Sequence, residues 1–115
     1  MSETRSKRHP KQTKASQSGR IVRKAIRIIN EHGWIQGLYG SDNVGYCTVG
    51  AIHKSVPVGY RNLAAEAETQ FGEWLSTHDN TIRSIIAWND SRERTEEEVI
   101  LYMSKFADEF DPQVH

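Results

Sequence analysis

The chain has 115 residues, of which 37% are hydrophobic and 26% charged, the size and composition of one ordinary domain that can bury a modest core without staples. Its single cysteine excludes an internal disulfide framework and fits a reducing compartment. No apolar run approaches the roughly 18 residues of a membrane span, and residues 1–14 lack the apolar region of a secretory signal, so a cytoplasmic protein without membrane association is expected.

A formal net charge of zero hides an asymmetry. Residues 1–28 carry nine Lys or Arg against Glu3 alone, whereas the remainder carries six bases against fourteen acids. Residues 1–17 are basic and aperiodic, and are expected to form a disordered arm. Residues 18–110 are expected to be the helical domain, with residues 111–115 a flexible C-terminus.

The first helix is expected from Ser18, as N-cap, to Gly33, as the stop, with Trp34 making the closing apolar contact. Ile21, Val22, Ala25, Ile26, Ile28 and Ile29 share one side of it, while Arg20, Arg23, Lys24 and Arg27 form a stripe opposite. Gly37, Gly40 and Gly45 around Ser41-Asp42-Asn43 then predict a glycine-rich loop or short hairpin. A second helix is expected from about Tyr46 to Val56, ended by Pro57 and Gly59.

The third, from about Tyr60 to Thr77, carries the stripe Tyr60, Leu63, Ala64, Ala67, Phe71, Trp74 and Leu75. Asn80 is expected to cap a short helix with Ile82, Ile85 and Ile86, ending at Trp88-Asn89-Asp90. Thr95 and Glu98 make a capping box for the last helix, which buries Val99, Tyr102, Met103, Phe106 and Phe110 and turns Leu101 outward. The fold class is thus all-α: a small, bundle-like domain of five helices.

Two roles compete for Cys47. At the start of a helix, the positive dipole end favours a thiolate nucleophile, which would still need a base. His53 lies six residues on, about 240° around the same helix, and cannot supply one. His32 or His78 could approach only through the tertiary fold. Alternatively, Cys47, Gly50 and Ala51, spaced i, i+3, i+4, make a face of small residues against which another helix packs closely. The second role accounts for a glycine inside a helix, and it is the one expected.

The glycine-rich segment lacks the Gly-Lys-Ser/Thr ending of a phosphate loop. One cysteine and five scattered histidines show no metal-ligand spacing. No metal or cofactor is expected. At Trp88-Asn89-Asp90, Trp88 is expected in the core, with Asn89 and Asp90 bonding open backbone groups at a helix end rather than serving as general bases.

The basic arm and first helix carry the clearest binding signal. The cations of residues 5–27 could neutralise several nucleic-acid phosphates. Three other readings compete: the tail as a solubilising extension, the cationic stripe paired with the acidic side of the third or last helix, or the stripe paired with a second copy in a homodimer. No aromatic platform accompanies them, so readout of bases is not expected.

Four short motifs follow one another in order: Gly33-Trp34-x-Gln36-Gly37, Cys47-x-x-Gly50-Ala51, Trp88-Asn89-Asp90 and Arg94-Thr95-x-x-Glu98-Val99. Over about residues 20–107 the chain resembles a family of small uncharacterised proteins from actinobacteria and their bacteriophages, a domain of unknown function. That resemblance implies a compact helical domain and a phage or actinobacterial setting, and it implies no activity. The basic arm lies outside the shared part.

The expected function is that of a small non-enzymatic accessory protein, phage-encoded on the resemblance, that binds a host or phage macromolecule. A protein is the expected partner, with Arg20, Arg23, Lys24, Arg27 and Leu101 as contact candidates. The alternatives are a nucleic-acid-associated regulator and a cysteine-dependent hydrolase or transferase.

Overall fold

The computed structural model describes residues 13–111. In chain order these form α1 (Lys14–His32), β1 (Gly40–Ser41), β2 (Gly45–Tyr46), α2 (Thr48–Lys54), a 3₁₀ turn (Val58–Tyr60), α3 (Arg61–His78), α4 (Ile85–Asn89) and α5 (Glu96–Phe110). The domain is therefore all-α with five α-helices among the described residues and one minimal hairpin. None of these helices is long and apolar enough to cross a membrane.

Helix α1 runs along the middle, packed against α5, α3 and α2. Its inward side is the expected one, and Val22, Ala25 and Ile29 are fully buried. Its start is not the expected one. Thr13 is the N-cap, in a reciprocal capping box with Ser16, so residues 14–17 are helical and not part of an arm; residues 1–12 lie outside the described segment. Ser18 is buried inside α1 because the end of α5 passes directly over Gly19, where a Cβ would come within 2.9 Å of Asp111 Cβ. Gly33 does stop the helix, its N–H bonding Ile29 O at 2.7 Å.

Opposite α1 lies an aromatic cluster. Phe71 of α3 stands edge-on to Phe106 of α5 and Trp88 of α4, with ring centroids 5.3 and 5.8 Å apart, and stacks on Trp74. Tyr60, expected on the buried stripe of α3, is instead 55% exposed. It belongs to the 3₁₀ turn before the helix, so the wheel of α3 does not include it. The α4 cap is likewise corrected. Ser84, not Asn80, accepts from Ala87 N–H, and Ile82 precedes the helix in a turn held by Asp79.

Helix α5 begins with the expected Thr95–Glu98 capping box, and three glutamates in its first turn suit the positive dipole end. Its other end has no basic residue of its own. Arg23 supplies one from α1. The guanidinium donates to the carbonyls of Ala107 and Asp111 and pairs with the carboxylates of Asp108 (3.2 Å) and Asp111 (3.5 Å). Arg23 therefore holds two helices together and is not a free contact residue.

Candidate functional site

Residues from three of the four short motifs, far apart in sequence, meet around one amide. Asn89 is completely buried at the end of α4. Its Oδ1 accepts from Trp34 Nε1 (2.7 Å), Thr48 N–H (2.9 Å) and Thr48 Oγ1 (2.7 Å). Its Nδ2 donates to Ile35 O (3.1 Å) and Asp90 Oδ1 (2.9 Å). Two of those three donors, an indole N–H and a backbone N–H, can only donate, which fixes the amide's orientation.

Neighbouring residues extend the network. Gln36 Nε2 donates to the carbonyls of Asn89 (3.0 Å) and Ser91 (2.8 Å), and Gly37 N–H donates to Asp90 Oδ1 (3.1 Å). Asp90, weighed as a base, thus serves as an acceptor for two nearby donors. Trp88 is in the core, its ring faced by the Arg94 guanidinium at 4.9 Å, and Arg94 Nε bonds the Trp88 carbonyl at 2.8 Å. Every buried side-chain polar atom among the described residues has a partner. Gln36 and Thr48 are the members that sequence reasoning missed as bonding residues; the position of Gln36 inside Gly-Trp-x-Gln-Gly was the available signal.

Cys47 is 4% exposed and is the N-cap of α2, one residue before the helix rather than within it. Its Sγ accepts from Gly50 N–H at 3.3 Å. Burial pushes the thiol's pKa up, outweighing the backbone hydrogen bonds that pull it down. The three histidines among the described residues are engaged elsewhere: His53 with Glu68 (3.0 Å), His32 with Asp42 (3.5 Å) and His78 with Trp74 O (3.0 Å).

The close neighbour of this small-residue face is not a helix, as expected, but the hairpin. A Cβ at Gly50 would overlap the Tyr39 carbonyl, which also accepts from Cys47 N–H at 3.1 Å. At the hairpin tip, the Tyr46 hydroxyl donates to Asp42 Oδ1. This bond lowers the carboxyl's pKa below its ordinary value and raises the phenol's to about 12.

Alongside α2, from Tyr46, Val49 and Gly50 to beyond its far end, the surface opens into a groove of about 1050 Å³. Tyr39, Val56 and Val58 are among its apolar lining, and Lys24, Lys54 and Arg61 among its cations. Val58 is 78% and Tyr39 61% exposed. None of the three cations lies within ion-pair distance of a carboxylate among the described residues. Glu68, which also lines the groove, is held by His53.

Arg20 and Arg27 are exposed on the same side of α1, one turn to either side of Lys24. Leu101 is half-exposed on α5, which contributes nothing to the groove. The structure thus unites Lys24 with cations of α2 and α3 that sequence reasoning did not select, and separates it from Arg23 and Leu101. Among the described residues no group of three or more His, Cys, Asp or Glu is arranged to hold a metal ion.

Residues 14–109 match the model of a family of unknown function, DUF6197, and the chain belongs to that family. No curated protein and no solved structure matches it.

Proposed function

We propose that this member of the family is a non-enzymatic accessory protein whose work is to hold a macromolecule, with the groove beside α2 as the contact surface. On its resemblance to small proteins of actinobacteria and their bacteriophages, we place it in a cytoplasmic, phage-encoded setting, with a host or phage protein as partner. One contrast carries this reading. The polar residues around Asn89 are saturated by one another, while the exposed side chains of the groove are apolar, or cationic without an ion-pair partner among the described residues.

A photo-crosslinking amino acid at Val58 tests it, with Glu97 at the start of α5 as the control position. Irradiation in cells is expected to give a discrete adduct from Val58 and none from Glu97. Equal labelling from both positions, or none from Val58, Tyr39 or Lys54, contradicts the reading.

Nucleic-acid association is the second reading, favoured by the exposure of Arg20, Lys24 and Arg27 on one side of α1. It predicts retention on immobilised DNA that falls steeply with salt. Retention that survives a charge-reversing Arg20→Glu/Lys24→Glu/Arg27→Glu variant contradicts a role for this face.

A further inference from the structure

The groove's chemistry specifies its occupant more closely. We infer that it docks an acidic segment of a partner protein that also carries aliphatic side chains. The aliphatic groups would seat on Val56 and Val58, and the carboxylates would pair with Lys24, Lys54 and Arg61. This rests on the binding reading above and goes further by naming what is bound.

Three observations point the same way. First, the charge is predominantly positive. Lys24 comes from α1, Lys54 from the end of α2 and Arg61 from the start of α3, so three separate elements bring cations to one concavity. The acid in its lining, Glu68, is occupied by His53 at 3.0 Å. Three cations, none in ion-pair contact with a carboxylate among the described residues, outnumber the one lining acid and complement an anion.

Second, the lining between them is aliphatic. Val56, Pro57 and Val58 follow one another along it, and Val58 is 78% exposed. Solvent gains nothing from such a side chain, whereas a partner's leucine or valine would remove it from water.

Third, the aromatic provision for nucleic acid is thin. Tyr46 is buried, with its hydroxyl held by Asp42. Tyr39 is then the exposed ring in the lining, and single-stranded nucleic acid is bound by several stacking rings along a cationic track. An aliphatic lining with a cationic rim suits a polypeptide better than a base.

Fluorescence anisotropy on the full chain tests this with four labelled probes: a peptide of leucine and glutamate, the same peptide with lysine for glutamate, an all-glutamate peptide, and a thymidine oligonucleotide. The leucine–glutamate peptide is expected to bind most tightly. Its affinity should fall about tenfold or more in Lys54→Glu/Arg61→Glu, and again as salt is raised. Val58→Asp should weaken it without changing the melting temperature, because that side chain is already in solvent.

Equal binding of the lysine peptide, or an affinity untouched by the charge reversal, overturns the inference. Equal binding of the all-glutamate peptide removes the aliphatic lining from it. Tighter binding of the oligonucleotide overturns it in favour of nucleic acid. An adduct at Val58 alongside failure of the leucine–glutamate peptide leaves the binding reading standing and sinks only this choice of occupant.

Discussion

The two ends of α2 sit in opposite environments. At its start, Cys47 caps the helix and Thr48 is bound twice by Asn89, in a region where each buried side-chain donor and acceptor has a partner. At its end, Lys54 and the following Val56 and Val58 border open solvent, with a charge that has no ion-pair partner among the described residues and with apolar surface uncovered. The residues that look most like a site in sequence — a cysteine, an Asn-Asp pair, a tryptophan — form the saturated end. Satisfied buried polar groups fix a structure; exposed unsatisfied ones are available to a partner.

The comparison is tested most severely at Asn89. Removing its amide in Asn89→Ala strands Trp34 Nε1, Thr48 N–H and Ile35 O in the interior. A loss of about 3–5 kcal/mol is expected in urea unfolding, from penalties of about 1–3 kcal/mol for each orphaned group with partial relaxation. Next comes Gly50→Ala, which drives a methyl group into the Tyr39 carbonyl and forces the hairpin off α2. A loss of about 1–3 kcal/mol is expected, read from the same curves.

A smaller effect belongs to the hairpin tip and appears with pH. The phenol of Tyr46 is raised to about 12, so its contribution to stability is intact below the unfolded phenol's pKa of about 10 and is lost as pH climbs toward 12. The lowered carboxyl of Asp42 works from the other side: its contribution is present above the ordinary carboxylate value and is lost as pH falls through the folded one. Ultraviolet difference titration should show Asp42→Asn returning the phenol toward about 10. The least effect on folding is expected in the groove. Lys54→Glu and Arg61→Glu should each change stability by no more than about 0.5 kcal/mol, even while the surface loses its cationic character. A large destabilisation there would make the groove part of the framework and erase the contrast.

Much of the fold was legible in the sequence because it is written in local periodicity. The stripe of α3 from Leu63 to Leu75, the capping box of α5 and the stop at Gly33 all depend on neighbours within a turn or two. Misplaced features depended on distant groups or on weaker cap signals. Ser18 reads as a cap until Gly19 is seen to lie under Asp111, and Thr13 with Ser16 makes a capping box without the usual Glu or Gln. Arg23 and Arg27 look alike on the α1 wheel, yet one is consumed by the end of α5 and the other faces water. The closeness at Gly50 was legible; that a hairpin carbonyl and not a helix supplies it was not. The groove was the least legible feature, because Lys24, Lys54 and Arg61 share no periodic pattern and meet only through the packing of α1, α2 and α3.

That the Cys47 end of α2 is framework and not chemistry is tested most directly by the reactivity of that thiol. The folded protein is titrated with a thiol-alkylating reagent near neutral pH across sub-denaturing urea. The account predicts slow modification whose rate rises with urea in step with unfolding, since the thiol is buried, capped onto Gly50 N–H and held in its protonated form. Rapid, urea-independent alkylation of the native chain would contradict it and return Cys47 to candidacy as a nucleophile.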